Sequence, residues 1–204
     1  MVFLSCNKKE SPNIVIKTAP LISFVDPFIG TGWHGHTYPG ASMPFGMMQL
    51  SPDTRLDCWD GCSGYHYSDD EIYGFSHTHL SGTGVSDYGD ILLMPTNQAI
   101  LNNGANGEKG YKSKFSHKNE VAQPGYYKVH LEDTNIDVEL TVSKRSGINK
   151  YEYPASKNQV LILDLEHREV LHESNMSIVT EKEIKWCRHS KAGETNKFLL
   201  YYIR

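Results

Sequence analysis

The side chains best suited to chemistry are concentrated between residues 25 and 90. This stretch holds five His, two Trp and eight Asp among many Gly. Gly permits tight turns and close backbone approach, and His, Asp and Trp near such turns supply hydrogen bonds, metal ligands and flat apolar faces. A pyranose has an apolar face and a rim of hydroxyl groups, which suits aromatic rings and carboxylates together. The stretch therefore predicts a polar site built on loops, with a sugar as the first candidate ligand.

Trp59 is the strongest single candidate for contact with a sugar. It lies between Asp57 and Asp60, and a Trp among carboxylates and turn residues is seldom fully buried. Its indole offers a stacking face and an N–H donor, but an aromatic residue that anchors its own loop would show the same pattern. Trp33, beside His34, has the same ambiguity. The residues alone leave both interpretations open.

Two His-x-His pairs raise the alternative of a metal site: His34/His36 and His77/His79. In an extended strand, residues i and i+2 point the same way, so each pair could offer two imidazoles to a transition metal. A third ligand would also be needed. The acidic residues that could supply it are Asp57, Asp60, Asp87 and Asp90. Because His-x-His spacing is a frequent accident, contacts to a polar ligand or structural hydrogen bonds are the better explanations, and no metal ligand is predicted.

The sequence contains no recognisable catalytic signature. Glycoside hydrolysis needs two carboxyl groups at a defined separation, but a chain with 24 acidic residues contains carboxylates whatever it does. There is no GxSxG elbow, no P-loop and no dinucleotide-binding fingerprint after a strand. No catalytic residue is predicted from these patterns.

Composition describes one ordinary globular domain. A length of 204 residues suits a single core, and 39% apolar with 22% charged residues is typical of such domains. The net charge of −4 comes from interspersed signs without a basic stripe, so nucleic acid is not an expected partner. No apolar run approaches the roughly 18 residues of a membrane-spanning helix.

The Cys residues bear on location and redox state. Ser5-Cys6 after Phe3-Leu4 resembles the end of a bacterial lipoprotein signal, although the basic region is missing and the apolar region is short. We therefore predict a true start upstream, a lipid anchor at Cys6 and a tether to residue 20, which implies a periplasmic or outer-membrane lipoprotein of the cell envelope. Cys58 and Cys62 could pair in an oxidising compartment, but two unpaired, partly buried thiols are favoured.

Alternating apolar residues after residue 125 predict an antiparallel β-sandwich. Val138, Leu140 and Val142 share one face of a strand at 137–142, while the apolar run 160–163 predicts a strand buried on both faces. Short strands separated by turns, without a long helical stripe, are typical of a sandwich. Residues 25–90 are expected largely in long loops clustered at one end. Further expected features are strands at 127–131, 148–153, 176–179, 183–186 and 198–203, turns at Ser174-Asn175, Lys157-Asn158 and Gly193, and a surface loop at 102–110.

Three long segments resemble the amino-terminal domain of glycoside hydrolase family 92. They are VDPFIGTGWHGHTYPGASMPFGMMQLSPDT, SGYHYSDDEIYGFSHTHLSGTG and YGDILLMPT. The similarity extends from about Phe24 to about Ile184 and includes ILDLEHR. Family 92 comprises calcium-dependent, exo-acting α-mannosidases, so the resemblance implies an all-β sandwich domain packed in the complete enzyme against an (α/α) barrel.

The resemblance also implies which domain of the complete enzyme supplies each part of the active site. The complete enzyme hydrolyses terminal α-mannose by single-displacement inversion, in which a base-activated water attacks the anomeric carbon. The general acid Glu, the base Asp and most calcium ligands belong to the barrel, while the sandwich lends loops to the pocket, above all the Trp of the segment matching Cys58–Tyr67. The chain ends at Arg204, where the family only finishes its first domain. We therefore expect residues 21–204 to be a sandwich truncated at its end, without the barrel and inactive alone.

The expected partners are an α-mannoside glycan and a barrel domain encoded nearby. Two other functions stay open: a stand-alone carbohydrate-binding β-sandwich module that binds mannose weakly, and a metal-binding structural domain that uses the His pairs. The predicted substrate-binding residues are Trp59, Asp60, Asp57, His77, His79 and His36.

Overall fold

The computed structural model describes residues 20–155, 157–168, 170–192 and 195–203, with side chains up to residue 191 within these ranges. The predicted lipid anchor at Cys6 and turn at Gly193 lie outside them. Its three 3₁₀ helices are Leu21–Phe24, Trp59–Gly61 and His117–Asn119. Its strands are β1 (Ala41–Ser42), β2 (Gln49–Asp53), β3 (Glu71–Ile72), β4 (Gly74–Ser76), β5 (Leu92–Thr96), β6 (Ser113–Lys114), β7 (Glu120–Gln123), β8 (Tyr126–Leu131), β9 (Ile136–Val142), β10 (Gly147–Glu152), β11 (Val160–Asp164), β12 (Val170–Thr180), β13 (Glu183–Ala192) and β14 (Thr195–Ile203).

Two antiparallel sheets pack face to face and enclose the core. The larger has the order β1-β2-β4-β5-β11 and the smaller the order β10-β9-β8-β7. One cluster of buried side chains joins Leu50 and Phe75 of the larger sheet to Val129, Val138 and Leu140 of the smaller. The predicted all-β antiparallel sandwich is therefore confirmed.

Strands β8 and β9 show how the alternating pattern builds this core. Their register places Tyr127 opposite Leu140 and Val129 opposite Val138, and all four side chains are fully buried. Partners in an antiparallel pair point to the same face, so the apolar positions of both strands meet the larger sheet together. Burying a side chain such as Leu140 contributes about 1.5–3 kcal/mol.

Two details of the predicted strands are wrong. The run 160–163 was expected to be buried on both faces, but β11 is an edge strand of the larger sheet and Leu161 is 44% exposed. Ser174 and Asn175 were expected to form a turn, but they lie within β12 and pair with β13. The hydrogen bonds of a long ladder override the turn preference of these residue types.

Residues 25–90 lie largely in loops, as expected, but they also supply β2 and β4, which are interior strands of the larger sheet. Leu50 of β2 enters the core. Ser51 and Asp53 point to the opposite face and are also fully buried, because Gly64 packs closely on the Asp53 carboxylate. The face of the larger sheet that points away from the core is therefore also covered, and the buried layer on that face is polar.

The smaller additional sheets are β12-β13-β14 and β3-β6. The fully buried Arg188 of β13 places Nη1 2.5 Å from Asp90 Oδ1 and donates from Nε to the Leu165 carbonyl at 2.7 Å. These contacts tie β13 to the segment that follows β11. None of the described helices has the length and apolar character required to cross a membrane.

Candidate functional site

Trp59 stands at the surface where the loops over the polar layer meet. It begins the one-turn helix Trp59–Gly61 and exposes 57% of its surface. Cys58, just before it, has a φ of 64°, a conformation uncommon for residues other than Gly. The predicted exposure of Trp59 on a turn is confirmed.

The first His pair packs against this indole. The ring of His34 lies 5.1 Å from that of Trp59 at an angle of 45°, and the ring of His36 lies 4.2 Å away and edge-on at 86°. The pair is not in an extended strand, because Trp33 and His36 have φ values of 52° and 55°. This strongly turned loop nevertheless brings both imidazoles to one side chain.

Asp60 completes the cluster. Nδ1 of His34 donates to Asp60 Oδ1 at 2.5 Å, and Nε2 of His36 is 3.7 Å from the same oxygen. The hydrogen bond from His34 lowers the pKa of Asp60, so the carboxylate is ionised and accepts hydrogen bonds at neutral pH. Only 7% of His36 is exposed, and its Nε2 has no hydrogen-bond partner among the described residues. The cluster thus places an exposed aromatic face and an acceptor side by side, with the buried His36 ring behind them.

Gly84 lets a second loop close against the cluster. Its φ is +67°, and a Cβ there would lie 2.9 Å from Trp59 Nε1 and 3.4 Å from His36 Cε1. The same loop is fixed to the first one, because the amide of Gly82 donates to the His36 carbonyl at 2.6 Å. His34 was recognised from the sequence only as one half of a His-x-His pair and was not among the predicted site residues. Gly84 carried no signal beyond its place in a Gly-rich stretch.

The remaining predicted site residues are placed differently. Asp57 is exposed, two residues before Trp59. His77 and His79 are almost fully buried, and the ring of His79 is hydrogen-bonded to the Ser63 carbonyl at 2.8 Å and to Ser76 Oγ at 2.9 Å. Burial lowers the pKa of His77 to about 4 and also lowers the pKa of His79, so both rings are neutral at pH 7.

A buried carboxylate lies beneath these loops. Asp53 is fully buried, with Oδ2 3.2 Å from His167 Nε2 and Oδ1 4.0 Å from Arg168 Nε. Burial acts to raise the pKa of Asp53, but its interactions with His167 and with the Arg168 guanidinium outweigh burial and hold that pKa well below its usual range. The polar layer therefore contains a buried carboxylate with His167 and the Arg168 guanidinium beside it.

The described residues do not form a metal centre. No three His, Cys, Asp or Glu side chains among them converge in a way that could hold a metal ion. Cys58 is exposed, Cys62 is buried, and neither forms a disulfide. The expectation of two unpaired thiols is confirmed.

The described residues thus form a β-sandwich whose loops gather an exposed Trp, a carboxylate and two imidazoles. Residues 24–203 match the Glycosyl hydrolase family 92 N-terminal domain. The chain belongs to this family, and the resemblance seen in its sequence is confirmed.

Solved structures and a curated relative agree with this assignment. The family GH92 alpha-mannosidase BT3965 from Bacteroides thetaiotaomicron, solved in complex with mannoimidazole, is 36% identical with a TM-score of 0.85, over 89% of this chain and 24% of that chain. An uncharacterized secreted glycosidase from Arthroderma benhamiae is 30% identical over 161 residues, which are 71% of this chain and 20% of that protein. The inverting mannosidase BT2199 from B. thetaiotaomicron shares the fold, with 24% identity and a TM-score of 0.69 over 86% of this chain and 24% of that one. The chain thus spans about a fifth to a quarter of these relatives.

Proposed function

We propose that this chain is the sugar-facing amino-terminal domain of an α-mannosidase that removes terminal α-mannose from glycans. One observation carries the proposal. The exposed indole of Trp59 is held against His34 and His36, with the ionised Asp60 beside it, in a chain whose similar solved structures include a GH92 alpha-mannosidase.

Each side chain of the cluster has a role that its chemistry suits. The Trp59 indole packs on the apolar face of a pyranose. Asp60 accepts hydrogen bonds from sugar hydroxyls, which are stronger than neutral ones because the acceptor is charged. His36, whose Nε2 is buried, holds the indole by packing edge-on against it. Asp57 is an outer contact. The buried His77 and His79 act on the site only through the loops that they support.

The reaction itself is assigned to the rest of the enzyme. In the inverting mechanism a base-activated water displaces the leaving group at the anomeric carbon in one step, and a general acid protonates the departing oxygen. Both groups are proposed to come from the (α/α) barrel. This chain binds and orients the sugar, which lowers the entropic cost of the reaction. Most of the calcium ligands, as the family implies, would come from the barrel.

An apolar surface near the start of the described chain is proposed to meet the barrel. Phe24, Ile29 and Phe45 are among its strongly exposed side chains. Val25, Met43 and Phe45 also line one open cavity of about 510 Å³. Large apolar side chains gathered at a surface commonly mark an interaction site.

The proposed location is the bacterial cell envelope. A relative described as secreted supports export. Residues 1–20 are proposed as a tether, with the thiol of Cys6 carrying the lipid. Mass spectrometry of the amino-terminal peptide from a bacterial host tests this, because an unmodified Cys6 in a chain extended to its true start would contradict the anchor.

A hybrid enzyme tests the central proposal. This chain would replace the corresponding quarter of BT3965, and the product would be assayed on an aryl α-mannoside with calcium. We expect activity that chelation abolishes. A folded hybrid that binds calcium but releases no mannose would contradict the proposal.

A stand-alone carbohydrate-binding module is the second candidate, favoured by the fact that Trp59, His34, His36 and Asp60 all belong to the sandwich. Titration of the isolated chain with methyl α-mannoside, followed by NMR, distinguishes the two. Saturable binding at the Trp59 cluster supports the module. Binding that needs the barrel supports the mannosidase domain.

A further inference from the structure

Arg168, the last residue of the ILDLEHR segment, is buried beneath the Trp59 turn and is only 6% exposed. All four of its terminal N–H groups have partners. Nη2 donates to the carbonyls of Arg55 at 2.6 Å and Gly61 at 2.8 Å, and Nη1 donates to the carbonyl of Cys62 at 3.1 Å and to Ser86 Oγ at 3.0 Å.

These partners flank Trp59 on both sides. The Arg55 carbonyl lies before the turn Trp59–Gly61, and the carbonyls of Gly61 and Cys62 end it. A planar guanidinium can hold several acceptors in fixed directions, whereas a Lys ammonium offers three donors from one point. One buried side chain therefore fixes both ends of the turn that presents the indole.

Ser86 extends the same clamp to the second loop of the site. That loop carries Gly84, where a Cβ would come within 2.9 Å of Trp59 Nε1 and 3.4 Å of His36 Cε1. The guanidinium stem also needs space there, because a Cβ at Gly89 would come within 2.6 Å of Arg168 Cδ. Arg168 thus connects the two loops that enclose the exposed indole.

Arg168 is itself anchored from below. Arg188 donates from Nη2 to the Arg168 carbonyl and is paired with the fully buried Asp90. The Arg168 stem lies 4.0 Å from the carboxylate of Asp53. The clamp therefore joins the surface loops to the buried polar layer of the larger sheet.

We infer that Arg168 is a positioning residue, which holds the Trp59 turn and the Gly84 loop in the geometry that receives the sugar. This inference rests on the proposed function for its consequence in binding. The ordering of the turn by Arg168 follows from the hydrogen bonds alone and is measured separately from sugar binding.

The test compares Arg168→Met, Arg168→Lys and the milder Ser86→Ala in the full chain, with Tyr111→Phe as control. Tyr111→Phe removes a partly buried hydrogen bond to Asp164, and none of the hydrogen bonds of the Trp59 turn involves Tyr111. Amide hydrogen exchange reports local opening, and the amides of Gly61, Cys62 and Gly64 are hydrogen-bonded within the turn. We expect exchange at these amides to accelerate by about tenfold or more in Arg168→Met, by less in Arg168→Lys and Ser86→Ala, and not selectively in Tyr111→Phe.

The clamp is contradicted if, in folded Arg168→Lys and Ser86→Ala, exchange at the turn amides accelerates no more than exchange at amides elsewhere in the chain. If Arg168→Met does not fold, these two milder variants decide. Activity of the hybrid enzyme then tests the consequence: Arg168→Lys should raise KM, and it should have little further effect once Trp59→Ala is present. A Trp59→Ala change without any effect on turnover would refute the proposed function, while selective loosening of the turn would still support the clamp.

Discussion

The orientation of Trp59 depends on the atoms packed around its ring. His36 meets the indole edge-on, Asp60 is held by His34, and Gly84 leaves just enough space for Nε1. An exposed aromatic residue with fixed neighbours loses little conformational freedom when a ligand stacks on it. At the scale of residues, the site is therefore preorganised.

Substitutions at two nearby glycines distinguish the effect of the contact with Trp59 from the energetic cost of a left-handed backbone conformation. Gly84 and Gly82 have φ values of +67° and +73°, but a Cβ at Gly84 would lie 2.9 Å from Trp59 Nε1, whereas a Cβ at Gly82 would meet nothing within 4 Å. Ala at either position should cost about 1 kcal/mol of stability, because both adopt a left-handed conformation. Only Gly84→Ala should shift the NMR signal of the Trp59 indole N–H. Equal shifts in both variants would contradict the proposed packing.

The buried His77 predicts a dependence of stability on pH. Burial lowers its pKa from 6.5 to about 4, so between these values the unfolded chain binds more protons than the folded one. The free energy of unfolding should therefore fall as pH falls through this window, by about 2–3 kcal/mol from this residue between pH 7 and 4.5.

Urea unfolding of the full chain at the two pH values measures this change. His77→Gln removes one titrating group and should weaken the dependence, leaving the contribution of His79, whose pKa is also lowered by burial. His130→Gln, at a partly exposed position, should not weaken it. An unchanged pH dependence in His77→Gln would show that the loss arises elsewhere.

At the scale of elements, the predictable strands were those with regular alternation. Strands β8 and β9 follow the period of two because one face of each meets the core. Strands β2 and β4 were missed: Pro52 interrupts the first, and the second has three residues.

Of the site residues, Trp59, Asp60 and His36 could be predicted from their residue types and their neighbours in the sequence. Arg168 could not, because its Arg55 partner is 113 positions away in sequence and only the packed fold brings them together.

The sandwich core should respond to truncation according to burial. Leu140 of β9 is fully buried, whereas Ile148 of the adjacent β10 is 64% exposed. Leu140→Ala should lower the free energy of unfolding by about 2–5 kcal/mol, and Ile148→Ala should change it by no more than roughly 0.5 kcal/mol. Chemical denaturation of both variants gives the comparison. Similar losses of unfolding free energy in the two variants would contradict a core confined to the Leu140 face of this sheet.

At the scale of the whole molecule, the chain corresponds to about a quarter of the mannosidases whose structures it resembles. The described residues form a sandwich with the exposed Trp59 cluster, and the acid and base are proposed to come from the barrel. The 204-residue chain alone should therefore not hydrolyse an aryl α-mannoside, because acid–base catalysis typically contributes about 10²–10⁴-fold in rate. Incubation of the pure chain with substrate and calcium checks this. Turnover that stops on chelation would contradict it.

The most direct test of the account is kcat/KM of the hybrid enzyme with and without Trp59→Ala. Loss of the stacking face should cost on the order of 1–3 kcal/mol, or roughly 5- to 150-fold in kcat/KM. The melting temperature should change little, because an exposed side chain leaves no core cavity. Leu101→Ala, which truncates an exposed apolar residue elsewhere, should leave both quantities unchanged. A folded Trp59→Ala enzyme with full kcat/KM, or one that melts early while its turnover per folded molecule is intact, would show that Trp59 only anchors its loop.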